Sequence, residues 1–294
     1  MVALATPFRD GKVDVAALRR LVDLQLAAGT DVIVPCGTTG ESPTLNQDER
    51  ERITALVVEQ ARGRAPVLAG GPGNDTAASV DAARRAKSAG ADGILAVTPY
   101  YNKPSQEGHV RHLAAIAEVG LPVIAYNVPS RTGADLLPET LGRLHREGII
   151  AGVKEATGSL LRLLDILEQT DGRLVAISGD DFTVAPFILT GGRGVISVSA
   201  NVAPKRMKAL VQAALRGDRA AAISEQLRLQ PLHRALFVES NPIPLKAALA
   251  ELGLCSGELR LPLTPLAAAH VATLQTALSG LQDGEQRSAA GAGT

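Results

Sequence analysis

The sequence predicts an α/β protein, a (β/α)₈ barrel (TIM barrel) with a C-terminal helical extension. Three observations predict it. Short, near-continuous β-branched runs recur at intervals of 21–35 residues up to position 200. Amphipathic stretches with apolar residues at helical spacing lie between them. Eight such units follow one another with no break in composition, and eight is the number that closes a barrel. Apolar strands separated by helices are parallel strands covered on both sides. A doubly wound open sheet is the competing arrangement, and the uninterrupted count of eight favours closure.

The strands are expected to begin near Val2 (VALAT), Val32 (VIVPCG), Val67 (VLAGG), Ile94 (ILAVTPY), Val123 (VIAYN), Ile150 (IAGVK), Leu174 (LVAISG) and Val195 (VISVSA). Helices are expected over 15–28, 47–61, 76–89 and 105–119, with 204–216 as the eighth barrel helix. Ala28-Gly29 and Ala89-Gly90 stand where a helix ends and needs a left-handed residue. Pro66 and Pro122 stand just ahead of strands, where a missing N–H costs little. The alternation stops after Ala200. The barrel is therefore assigned to 1–217, a helical extension of three stretches to 218–281, with Pro231 bending the first, and an unstructured tail to 282–294.

Composition narrows the function. Thirty basic side chains balance thirty acidic ones, so there is no cationic excess to displace counterions from a nucleic acid. Hydrophobic residues are 46% of the chain and charged residues 20%, which is globular rather than disordered usage. Aromatics are 2% and Trp is absent, so the core must be aliphatic, as buried parallel strands are. No apolar run is long enough to span a membrane, and MVALATPF does not resemble a signal peptide. Cys36 and Cys255 make no disulfide framework. The expected compartment is the cytosol.

In such a barrel, chemistry sits where strands end. Lys154 closes the apolar run IIAGVK. A buried ammonium is costly unless paired or deprotonated, so two readings stand: an ion pair with Glu155 or another carboxylate, or a Schiff-base lysine. A lysine of ordinary pKa is free amine at pH 7 in only about one molecule in 2,500, so imine chemistry calls for a desolvated site. The loop 37–41, GTTGE, offers hydroxyls and backbone N–H groups to a carboxylate or phosphate, or else Thr side chains that cap the next helix. Within YNVPSRTG, Arg131 carries a fork matched to a carboxylate and Tyr126 is a candidate proton carrier. All three tyrosines, Tyr100, Tyr101 and Tyr126, fall at strand ends.

Other motifs carry nothing. GGPGN lacks dinucleotide-loop spacing, and GxSxG, HExxH and GxxxxGK are absent. His109 and His112 are expected on a solvated helix face and Cys36 in the core. No metal site and no organic cofactor are expected.

The segments GTTGES, TPYYNKPSQEG, YNVPSRTG, GVKEAT, SGDD, GVISVSAN and ESNPIPLK occur in this order. Together they resemble the dihydrodipicolinate synthase branch of the pyruvate-dependent class I aldolase family, which also includes N-acetylneuraminate lyase. The similarity runs from Val2 to about Leu281. It implies a lyase that condenses pyruvate with L-aspartate 4-semialdehyde on the diaminopimelate route to lysine. It also implies roles. Lys154 matches the imine-forming lysine. Thr38, Tyr126 and Tyr101 match a proton relay, with Tyr101 contributed across a subunit interface of a homotetramer built from two tight dimers. Arg131 matches the residue that holds the semialdehyde carboxylate. Thr39, Ile196 (through its backbone) and Gly179 match pyruvate-pocket positions. In lysine-inhibited members a His and a Glu contact the effector; those positions fall at Arg50 and Ala78, while Asn74 and Tyr100 are retained, so weak feedback by lysine is expected. Two alternatives stay open. A sister aldolase acting on a sugar acid or hydroxy-oxo acid would use Lys154 and Tyr126 equally well, whereas Arg131 and the Tyr100-Tyr101 pair favour the synthase. A binding paralogue without turnover would have no reason to keep Lys154, Tyr126 and Thr38. A coupled assay with both substrates separates all three.

Overall fold

The computed structural model describes residues 1–71 and 73–291, with no side chains beyond Leu281. Its strands are β1 (Val2–Ala3), β2 (Phe8–Arg9), β3 (Lys12–Val13), β4 (Ile33–Val34), β5 (Leu68–Ala69), β6 (Gly93–Val97), β7 (Val123–Asn127), β8 (Gly152–Glu155) and β9 (Val175–Ser178). The barrel is a ring of parallel pairs. β1 pairs with β4, Ile33 bridges to Val67 ahead of β5, and β5 to β9 pair in sequence. Ser178 bridges to Val195, and Ser197 bridges back to Val2, so the segment 195–197 is the eighth stave. Asn201 fastens this seam: its Oδ1 accepts from Ala5 N at 3.1 Å and its Nδ2 donates to Ala3 O at 2.8 Å.

Alternation along the strands sorts the side chains. Ala3, Val34, Leu68, Leu95, Tyr126, Ile177 and Ile196 fill the barrel interior. Their neighbours Val153, Ala125 and Ala176 face the helices. The wall helices are α1 (Val15–Ala27), α2 (Gln47–Ala61), α3 (Thr76–Ser88), α4 (Gln106–Ala117), α5 (Pro129–Thr132), α6 (Pro138–Arg146), α7 (Leu160–Gln169), α8 (Val184–Leu189) and α9 (Pro204–Leu215). Their ends follow local chemistry. Asn46 and Glu49 form a reciprocal capping box on α2. Gly29 and Gly90 sit at φ +74° and +88°, the left-handed residues that end α1 and α3.

After α9 come α10 (Arg219–Leu236), α11 (Ile243–Glu251) and α12 (Ala268–Gly291). Pro231 lies within α10, which continues to Leu236. Leu245, Ala248 and Leu249 of α11 share one core with β1 and α1, so the extension has no core of its own. The segment 282–294, expected to be an unstructured tail, lies outside the residues described with side chains. Where its backbone is given, to Gly291, it is helix.

Three local features differ from expectation. A two-residue hairpin, β2–β3, follows β1 and turns on Asp10 (φ +53°) and Gly11 (φ +74°), a pairing for which an Asp-Gly dipeptide is the standard signal. The loop YNVPSRTG contains α5, one turn of helix. The third is a correction: His109 and His112 are not on a solvated face. Both are buried on α4, at 0% and 4% exposure, and His112 Nδ1 shares a hydrogen bond with Thr76 Oγ1 at 3.0 Å. α3 packs against α4 and covers the His112 ring through Thr76, a contact that hydropathy alone does not register.

Burial holds His109 below its ordinary value, and it pulls His112 down to about 4, helped by the neighbouring His109. The unfolded chain, with histidines near 6.5, therefore takes up protons before the folded one does. Stability is complete above about pH 6.5 and falls as the pH drops toward 4, by roughly 3 kcal/mol from His112. Urea titrations at pH 7.5 and 4.5 should show this loss, and His112→Gln should shrink it. An unchanged pH dependence in that variant would place the acid sensitivity elsewhere.

Candidate active site

Lys154 is 6% exposed and points into the barrel from β8, in register with Tyr126 on β7. Its Nζ stands 4.1 Å from the centroid of the Tyr126 ring. The ion pair with Glu155 is not formed. Alternation turns the Glu155 carboxylate outward, where it accepts from Asn127 Nδ2 at 3.0 Å and from Thr157 N at 2.7 Å. Among the described residues no carboxylate pairs with Lys154. The other buried lysine contrasts with it: Lys246 donates to Thr6 O at 2.6 Å and to Glu41 Oε1 at 3.0 Å. Burial pulls the Lys246 ammonium down and Glu41 opposes that. One buried amine is fixed by a carboxylate and the other is not.

Gly179, just past β9, makes room for that amine. A Cβ there would lie 2.6 Å from Ala156 Cβ and 3.0 Å from Lys154 Cε. The side chain of Lys154 thus runs across a floor with space for no more than hydrogen. Ile196, 1% exposed, commits its N–H to Ser178 O at 2.9 Å. Among the described hydrogen bonds its carbonyl has no partner, so that is the backbone group it can offer to a ligand.

On the side of Tyr126 opens a cleft of about 420 Å³, with Thr38, Tyr126, Val128 and Arg131 in its wall. The turn after β4 spends the N–H groups of Gly40, Glu41 and Ser42 on its own carbonyls. Neither Thr38 nor Thr39 caps α2, since Asn46 does. Thr39, 2% exposed, instead accepts a hydrogen bond at Oγ1 from Asn241 Nδ2 at 2.9 Å. Arg131 is exposed on α5, and its Nη2 donates to the main-chain carbonyl of Asn241 at 3.3 Å. The cleft extends outward past Arg50, Asn74, Ala78 and Tyr100. Arg50 is tethered there by Gly71 O at 3.1 Å. Tyr101 stands apart from the others: it is 89% exposed, with φ +71°, on a loop whose backbone reaches Thr132 O.

The structure thus stacks Lys154, Tyr126 and Gly179 together and sets Thr38, Tyr126 and Arg131 in the cleft wall; Lys154, Gly179, Thr39 and Ile196 do not line that cleft and meet it only through Tyr126 and Asn241's partner Arg131. It links Thr39 to Arg131 through Asn241 and leaves Tyr101 at the rim. Asn241 and the Glu41–Lys246 pair are the site-adjacent residues that residue-by-residue reading missed. Neither has a periodicity signal; Glu41 stood in the loop GTTGE and Asn241 and Lys246 in the segment ESNPIPLK, but nothing in the sequence joined them. Cys36 is fully buried, and burial pushes its thiol up to about 12, so it is no nucleophile. No cluster of metal-ligating side chains occurs among the described residues.

Comparison with known proteins identifies the family. Residues 1–281 match the Dihydrodipicolinate synthetase family. The 4-hydroxy-tetrahydrodipicolinate synthase of Anaeromyxobacter dehalogenans (strain 2CP-C) is 54% identical over 280 residues, 95% of each chain. The crystal structure of dihydrodipicolinate synthase from Aquifex aeolicus superposes with a TM-score of 0.94 at 42% identity, covering 96% of this chain and 97% of that one. The chloride-inhibited dihydrodipicolinate synthase from Acinetobacter baumannii, crystallised with pyruvate, gives 0.93 at 43% identity, covering 95% and 97%. With a family match over nearly its whole length and relatives at this identity, the chain belongs to the dihydrodipicolinate synthetase family.

Proposed function

We propose that this enzyme, a lyase, condenses pyruvate with L-aspartate 4-semialdehyde to 4-hydroxy-tetrahydrodipicolinate, on the diaminopimelate route to lysine. The observation that carries the reading is the buried, carboxylate-free amine of Lys154 beside Tyr126. The amine attacks the ketone carbon of pyruvate, water leaves, and the imine draws electrons from the methyl group. A methyl proton departs and an enamine forms. The enamine attacks the aldehyde; the substrate's own amine then displaces Lys154 and closes the ring. Each step moves a proton, which Thr38, Tyr126 and Tyr101 relay without a histidine. Thr39 and the Ile196 carbonyl border the pyruvate pocket, Gly179 leaves room for the imine, and Arg131 holds the semialdehyde carboxylate. The chemistry is carried by Lys154 and needs neither metal nor organic cofactor. A coupled assay with both substrates tests the assignment: turnover with a sugar-acid or hydroxy-oxo acid substrate, and none with the semialdehyde, would overturn it.

Arg131→Ala should separate the half-reactions. Losing a charge-assisted contact is worth about 1.5–3 kcal/mol, roughly ten- to more than a hundredfold in semialdehyde KM, with pyruvate imine formation little changed. Equal damage to both would assign Arg131 to the pyruvate side or to the fold.

The working form is a cytosolic homotetramer of two tight dimers, with Tyr101 reaching the partner's site. An aromatic side chain held out in solvent from a left-handed backbone position supports that role. Mixed dimers of Tyr101→Phe and Lys154→Ala chains should regain activity that neither variant has alone. Hybrids that form and stay inactive would place the whole site within one chain.

A further inference from the structure

We infer that Asn241 is a positioning residue for the pyruvate half of the reaction, its side-chain amide fixing the direction in which the Thr39 hydroxyl donates. The inference rests on the reading of Thr39 as a pyruvate contact. Asn241 is 6% exposed and lies in the segment that leads into α11, at the barrel mouth. Its Nδ2 donates to Thr39 Oγ1 at 2.9 Å. Its Oδ1 is buried and has no partner among the described residues. A buried polar atom without a partner is rare and costly, so this amide is kept for what its donor end does.

A hydroxyl has one hydrogen and two lone pairs. With a lone pair of Thr39 Oγ1 occupied by the amide N–H, its hydrogen must point elsewhere, and Thr39 meets a ligand as a donor. The carboxylate of pyruvate can only accept. An acceptor in place of Nδ2 would draw the Thr39 hydrogen to itself and turn lone pairs toward that carboxylate. The main chain of the same residue does a different task, accepting from Arg131 Nη2 at 3.3 Å. The side chain therefore serves the residue on the pyruvate side and the backbone serves the residue on the semialdehyde side. The segment is held firmly enough to do both, because Lys246, one turn further on, is fixed to Thr6 O and Glu41.

Side-chain substitution should therefore affect one substrate and spare the other. Asn241→Asp should raise the pyruvate KM by at least about tenfold and Asn241→Ala by about threefold, each leaving the semialdehyde KM within about twofold. In a Thr39→Val background, which should itself raise the pyruvate KM by about tenfold, Asn241→Ala should add nothing further. Asn241→Ala, with no new charge, carries the test alone if Asn241→Asp does not fold. Equal rises in both KM values, or an Asn241→Ala effect undiminished in the Thr39→Val background, would show a merely structural role and overturn the inference. A raised pyruvate KM in Thr39→Val with both Asn241 variants silent overturns the inference alone. A Thr39→Val enzyme with unchanged pyruvate KM overturns the reading of Thr39 beneath it.

Discussion

Replacing Lys154 by alanine will abolish the pyruvate adduct trapped by borohydride and lower kcat by at least about three orders of magnitude, roughly 4 kcal/mol of barrier. The fold will survive, because Lys154 makes no ion pair whose carboxylate would be stranded. Lys246→Ala is the opposite case. It leaves Glu41, 2% exposed, without its cation, and breaking such a buried pair costs on the order of 3–5 kcal/mol. Intact-mass analysis after reduction, with the modified peptide mapped, and thermal unfolding of both variants measure the two effects. An adduct on Lys103 or Lys246 would sink the assignment of Lys154.

Gly179→Ala will be almost as damaging to catalysis, although it adds one methyl group. The new carbon would sit 2.6 Å from Ala156 Cβ and 3.0 Å from Lys154 Cε. Ala156 follows β8 and has no rotamer to move aside, so the backbone at 179 or 156 must shift, and the lysine chain lying against both is displaced with it. A misplacement of about 1 Å at a reacting group costs about a hundredfold. The expected result is a loss of that order in the rate of imine formation, together with a loss of about 1–3 kcal/mol of stability from the contact with Ala156. Normal imine kinetics in Gly179→Ala would mean that the lysine chain has room that the geometry does not give it.

The barrel was legible because its signal is repeated: eight apolar runs, each near a turn residue, leave little freedom of order. The strands are shorter than the runs that announce them, since several staves pair over only two residues, as β1 and β4 do. The Lys154–Tyr126 pair was readable as two residues at strand ends but not as a contact, which comes from the β7–β8 register. His109 and His112 misled because a polar side chain at helical spacing looks solvated until its neighbours are known. Asn241 stood in the segment ESNPIPLK, but its role was not legible, for a different reason. It belongs to no periodic element, and its partner Thr39 is 202 positions away.

That separation bears on how the enzyme is made. The bonds that finish the barrel mouth join residues 202, 205 and 240 positions apart: Asn241 to Thr39, Lys246 to Glu41, and Lys246 to Thr6. The Thr39 hydroxyl has left the ribosome long before the amide that steers it is synthesised, and Glu41 waits equally long for its cation. A nascent chain that has emerged through β8 carries Lys154 and Tyr126 but lacks the last three helices that complete the rim. Contacts at such separation form late and slowly. Competence to bind pyruvate in the right pose is therefore acquired only near the end of translation, after most of the hydrophobic core has had time to assemble.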